Sequence, residues 1–191
     1  VGSGGVLSHA PRRQQSARML IDAFMPEGIT QLAVDSIFMM PQLGVLANID
    51  KDELKDDASQ AALEVFDNDC LIRLGTCVSP VGKAKPKSKM ADVTMSFKDG
   101  STKTIEIKEG SLEMLEVPYE EVKVHIEPSR GIDVGAGKGE PLDSVIYGGV
   151  VGLIFDGRNR PITLSTDPSQ RIDSLLNWSS AVDEYPKGDL F

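Results

Sequence analysis

The sequence predicts an α/β unit followed by an antiparallel all-β unit, closed by a C-terminal helix. Three observations carry this expectation. Apolar residues recur at helical spacing in the segments before about residue 82, period-two alternation takes over after about residue 90, and a helix with its own capping signals ends the chain. Between the two regimes, Lys83–Lys89 packs four lysines and a proline into seven residues. That composition suits an exposed connector or a lysine-protected strand edge. The expected organisation is a first unit over residues 1–82, a connector over 83–89, a β-rich unit with its closing helix over 90–183, and a frayed tail over 184–191.

The elements follow in order. Val1-Gly2-Ser3-Gly4-Gly5 is a glycine loop, and Pro11 suits the first turn of a helix. Ala17, Leu20, Ile21 and Phe24 then form one apolar stripe on a helix that stops before Pro26-Glu27-Gly28. Ile29–Val34 is a short β-type run. Pro41 opens a second helix carrying Leu43, Leu46 and Ala47. Residues 50–57 are a solvated acidic stretch, and 58–66 is helical again, with Ala58, Ala62, Val65 and Phe66 on one side.

In the second unit, Val93, Met95 and Phe97 share one strand face, as do Ile105 and Ile107 on the next strand. A two-residue turn at Asp99-Gly100 would put these sets on opposite faces. A three-residue loop, Lys98-Asp99-Gly100, pairs Val93 with Ile105 and aligns them, with Gly100 left-handed. Further strands are expected over 112–117, 122–127 and 147–155, with a turn at Asp156-Gly157 and an extended piece over 161–164. Asp167 is placed to cap the last helix and Pro168 to occupy its first turn. Ile172, Leu175, Leu176 and Ser179 form its expected buried stripe, with Trp178 beside them.

Composition bounds the function. The 191 residues are 40% hydrophobic and 26% charged, ordinary globular usage, and the net charge is −9. Such a chain repels nucleic acid and anionic membrane surfaces, so neither is an expected partner. The apolar run over 145–155 is too short to span a bilayer. Two cysteines, Cys70 and Cys77, make neither a disulfide framework nor a CxxC motif. A reduced, cytoplasmic protein is the simplest reading, with Cys70 a small buried hydrophobe. The chain opens on Val1 directly before the glycine cluster, which leaves no room for the strand such a loop follows. A larger protein with a preceding segment is expected.

The opening loop is the candidate site. Glycines there let backbone N–H groups approach a ligand closely, and a following helix start favours an anion. Arg12 and Arg13 in that helix's first turn oppose its dipole, a conflict that a bound phosphate would relieve. A tight structural turn is the plain alternative. Elsewhere, Gly135-Ala136-Gly137-Lys138-Gly139 invites a phosphate-loop reading and fails it. Ile132 stands where the first glycine is needed, and Gly139 stands where a Ser or Thr would bind magnesium. It reads as a flexible loop. His9 and His125 are the only histidines and have no ligand partners at zinc spacing. His125 reads as a residue on the surface face of its strand.

Gly2-Ser3-Gly4-Gly5-Val6-Leu7-Ser8-His9-Ala10-Pro11 is similar to the signature of the glutamate mutase L family. Pro26-Glu27-Gly28-Ile29-Thr30 and Pro41-Gln42-Leu43-Gly44 continue the resemblance. Residues 128–135 and 148–156 resemble the same family's later blocks. The resemblance implies the actin, sugar-kinase and heat-shock ATPase superfamily: a partial ribonuclease H-like lobe over 1–82, ahead of the β-domain. It implies that Gly4 and Gly5, with Gly2 and Ser3 adjoining, contact the adenosine and nearby phosphate of ATP, with magnesium held by a lobe outside this chain. The phosphate motifs and catalytic carboxylates would lie there too, so this chain alone is expected to have negligible ATPase activity. The implied partner is an adenosylcobalamin-dependent mutase, and cobalamin would enter only through that enzyme. A non-catalytic interaction module with a degenerate nucleotide lobe remains the alternative; a small-molecule kinase would need a substrate pocket that nothing here supplies.

Overall fold

The computed structural model describes residues 1–48 and 56–185. The acidic stretch expected over 50–57 lies largely outside these residues, and so does most of the expected tail. Helices α1 (Gly5–Ser8) and α2 (Arg13–Phe24) lead into strand β1 (Gly28–Asp35). Helices α3 (Met40–Ala47) and α4 (Asp56–Val65) follow, and a π-helical turn over Phe66–Cys70 feeds strand β2 (Leu71–Ser79). The remaining strands are β3 (Val81–Gly82), β4 (Lys89–Ser96), β5 (Thr102–Lys108), β6 (Leu112–Leu115), β7 (Glu121–Pro128), β8 (Ile132–Asp133), β9 (Leu142–Tyr147) and β10 (Gly152–Asp156). Helix α5 (Pro168–Ala181) closes the fold.

Two four-stranded sheets organise the chain. The first has the order β1-β2-β10-β6, with β2 and β10 parallel and the other pairs antiparallel. The second, β5-β4-β7-β9, is antiparallel throughout. Val78, Leu153 and Phe155 on one face of the first sheet meet Ala91, Val93, Met95, Val124 and Ile126 of the second. The other face of the first sheet carries Leu32, Val34, Leu74 and Ile154. These pack on Ala17, Leu20 and Ile21 of α2 and on Trp178 of α5. The order of layers is therefore helices, mixed sheet, antiparallel sheet.

The first sheet draws strands from both sides of residues 83–89. Residues 83–88 form a loop and Lys89 opens β4, but β2 before the loop pairs with β10 after it. The expected boundary there does not separate two hydrogen-bonded units. The contact is close: a Cβ on Gly75 would lie 1.8 Å from the Gly152 carbonyl oxygen.

Local expectations fare unevenly. The hairpin register is as the hydrophobic pattern requires, with Val93 opposite Ile105 and Gly100 at φ +83°. Asp167 caps α5, its carboxylate accepting from the Gln170 N–H at 2.9 Å. The single strand expected over 147–155 is instead β9 and β10 in different sheets, split by Gly148–Val151. Residues 161–164 form no strand. The α2 stripe buries Ala17, Leu20 and Ile21 but leaves Phe24, the last residue of the helix, exposed. In α3, Leu46 stays exposed, and in α4 Ala62 is buried while Val65 is not. On α5, Ile172 and Leu175 of the expected buried stripe are exposed. Trp178 anchors the helix instead, with its indole N–H donating to the Gly110 carbonyl at 2.9 Å.

Candidate functional site

The opening glycines sit beside the free edge of β1. Gly2 N–H donates to the Ala33 carbonyl at 2.8 Å, and Asp35 N–H donates to the Gly2 carbonyl at 2.8 Å, a single parallel bridge. A side chain at Gly2 would force two leucine side chains to shift. A Cβ there would stand 2.6 Å from Leu7 Cδ1 and 2.7 Å from Leu20 Cδ2. The Ser3 hydroxyl donates to Asp35 Oδ2 at 3.2 Å. Gly2 and Ser3 thus belong to the frame that fixes the loop.

Gly4 and Gly5 differ. Gly4 has φ +116°, which favours glycine, and a Cβ added there would meet nothing within 4 Å. At Gly5 the nearest atom is Phe38 Cζ at 3.9 Å. The Gly4 carbonyl accepts from Leu7 N–H, Ser8 N–H and the Ser8 hydroxyl, which locks the turn from inside. The N–H groups of Gly5 and Val6 precede the first helical hydrogen bond and have no acceptor among the described residues. An open stretch of backbone donors therefore rests on a rigid base. His9 and Phe38 stack beside it with ring centroids 5.9 Å apart.

The sequence reading missed Asp35, which holds this arrangement together. It is fully buried at the end of β1. Its carboxylate accepts from Met39 N–H at 3.2 Å, Met40 N–H at 3.0 Å and the Ser3 hydroxyl. Burial pushes its pKa up, but the N–H donors of Met40, Met39 and Ile37, with Ser3, outweigh burial and hold it below the ordinary carboxylate value. Asp35 stays ionised and ties the glycine loop to the start of α3. An acid closing an apolar strand just ahead of a Pro-marked helix is its one local sign in the sequence, and that sign does not reveal the donors.

The arginines carry a correction. Arg12 is paired with Asp183, and Arg13 Nη1 donates to the Ser8 carbonyl at 2.9 Å. The loop is also separated from α2 by α1, so the protein itself resolves the charge conflict expected of Arg12 and Arg13. The later glycine loop is held by its own Asp133, whose Oδ1 accepts from Gly135 N–H at 2.7 Å and Gly137 N–H at 3.2 Å. His125 lies on the exposed face of β7, with Nδ1 2.8 Å from Asp143. Cys70 is buried, and burial, ahead of the nearby Asp35 charge, pushes its thiol pKa up. Among the described residues no group of three or more His, Cys, Asp or Glu could hold a metal ion, and no helix is long and apolar enough to cross a membrane.

A family model described as MutL protein matches residues 1–63. The match takes in the Gly2–Pro11, Pro26–Thr30 and Pro41–Gly44 stretches, while residues 128–135 and 148–156 lie beyond it. No curated protein and no solved structure matches the chain. The first third of the chain, from the opening glycine loop into α4, is thus similar to the MutL protein family, in keeping with the resemblance to glutamate mutase L.

Proposed function

We propose that this chain is the C-terminal part of a nucleotide-binding accessory protein that assists or reactivates a cobalamin-dependent mutase. Residues 1–82 form part of an actin-type, ribonuclease H-like lobe and contribute one wall of the nucleotide site. Gly4 and Gly5 meet the adenosine and phosphate side of ATP; Gly2 and Ser3 hold them in place through β1 and Asp35. The β-rich unit over residues 90–183 docks on the mutase, and cobalamin is reached only through that partner. The chain by itself carries no catalytic residue, because the groups that hold magnesium and activate water belong elsewhere. The family match over residues 1–63 supports the accessory role. The single structural observation behind the nucleotide wall is the open backbone at Gly4 and Gly5 on an otherwise packed frame.

Gly5 offers the cleaner test. A side chain at Gly4 is strained at φ +116° whatever the loop does, whereas Gly5 is helical and its added Cβ makes only ordinary contact. Gly5→Val should therefore leave the melting temperature within a few degrees of the parent. It should weaken ADP binding by the full-length protein, read by calorimetry, at least tenfold, because the branched side chain fills the space a ligand needs to reach the backbone. A folded Gly5→Val protein that binds ADP as tightly as the parent removes this loop from the nucleotide site.

A further inference from the structure

Two segments that the sequence left as plain loops meet in space. Lys83, at the start of the lysine-rich connector, and Lys138, in the Gly-Ala-Gly-Lys-Gly loop, line one open cavity of about 530 Å³ beside the β3–β8 pair. Val81, Gly82, Gly131, Asn159, Arg160 and Glu27 complete the lining. Glu27 is the one acidic side chain among them, so the two exposed lysines outnumber it. Among the described residues neither Lys83 nor Lys138 has a carboxylate within ion-pair distance, unlike Lys89 and Lys108 on the neighbouring strands.

The cavity wall is held rigidly. The Asn159 amide grips the Gly82 backbone at both ends, accepting from its N–H at 3.2 Å and donating to its carbonyl at 2.6 Å. Asn159 itself sits at φ +63°, a left-handed conformation that Asn tolerates better than most residues. The Arg160 side chain is 5% exposed, and four of its N–H donors are spent on the Pro26 carbonyl, the Asn159 carbonyl, the Ser79 hydroxyl and Asp156. A guanidinium has five, so one donor remains on Nη1. Rigid walls reduce the ordering cost of binding, and the volume falls within the range of small-molecule sites.

We propose that this cavity is an oxyanion site, with Lys83 and Lys138 neutralising a phosphate or carboxylate group of a small ligand over the Asn159–Arg160 floor. It is distinct from the Gly4–Gly5 loop and stands or falls separately from the nucleotide reading. Two lysines far apart in sequence and without internal partners, facing one preformed cavity in a chain of net charge −9, mark a local positive potential that attracts such a group.

The test is an amide NMR titration of the labelled chain with inorganic phosphate and, separately, with citrate, each against sodium chloride of equal ionic strength. Saturable shifts at Lys83, Gly131 and Lys138 that chloride does not reproduce are expected. Response to phosphate alone assigns a phosphorylated ligand, and response to citrate alone assigns a carboxylate. The double variant Lys83→Ala/Lys138→Ala should weaken the affinity at least tenfold, while Lys85→Ala/Lys87→Ala, on the same connector but outside the cavity, should change it less than twofold. All four side chains are exposed, so the fold should survive each change. Equal loss in both double variants, or the same shifts with chloride, reduces the effect to diffuse surface charge and overturns the site. The absence of saturable shifts with either anion overturns it as well.

Discussion

Asp156 ends β10 with no exposed surface and faces two arginines. Arg158 approaches it in a fork, Nε to Oδ1 and Nη2 to Oδ2 at 2.9 Å each, and Arg160 Nη2 lies 3.0 Å from Oδ2. Burial pushes the carboxyl pKa up; the Arg158 bonds and charge, with Arg160, reverse this and leave it below the ordinary value. A depressed folded-state pKa stabilises the fold above the unfolded value, near 3.8, and that contribution is lost as pH falls through the folded one. Asp156→Asn should therefore cost about 3–5 kcal/mol at neutral pH, since it removes the buried charge that Arg158 and Arg160 share. In urea unfolding the gap between variant and parent should narrow below about pH 4. A gap that stays constant down to pH 2 would separate Asp156 from the acid sensitivity of the fold. At this same scale the sequence located Gly4 and Gly5 but not Asp35. Glycine reports its backbone freedom locally, whereas a buried carboxylate is recognisable only by the donors that fold around it.

At the scale of the element, α5 shows why periodicity alone mislaid a face. Its caps were legible, because Asp167 and Pro168 act on their own helix. Its buried side was not. Ile172 and Leu175 share the apolar spacing, yet the sheet receives Trp178, whose ring has the Arg18 guanidinium 5.6 Å and the Arg158 guanidinium 5.1 Å from its centroid. Arg158 Nη1 also lies 2.8 Å from Asp22 Oδ1, so α2, the turn after β10 and α5 are joined through one indole and two cations. The β4–β5 hairpin was legible for the converse reason: its partners are neighbours in sequence, and only one loop length put both apolar sets on the same side. Trp178→Ala should cost about 3–5 kcal/mol and release α5 first. Trp178→Phe keeps a stacked ring but loses the hydrogen bond to Gly110, and should cost about 1–2 kcal/mol. Hydrogen exchange would show α5 amides losing protection in the alanine variant while β4 and β7 keep theirs. Uniform loss across both sheets would mean that α5 is not a separately docked element.

For the molecule as a whole, the change of periodicity near residue 83 was real but did not mark a boundary between independent units. β2 was not singled out in the sequence; its run of apolar and small residues is broken by Gly75 and Arg73 and shows no clean alternation, as befits a strand covered on both faces. Yet β2 is the strand that β10 joins from across the connector. The two parts of the chain therefore share a sheet and two cores. Protease cleavage within residues 83–88 should leave both pieces together on gel filtration and separate them only in denaturant. Dissociation of the nicked protein in plain buffer would contradict the shared sheet. The Gly75–Gly152 contact has a practical consequence. A strand pair that close, supplied by two stretches of chain, is a natural seam for a split protein. Residues 1–85 and 86–191, expressed apart and fused to two proteins of interest, would reconstitute the fold when those two met, with the lone tryptophan in α5 reporting the reunion.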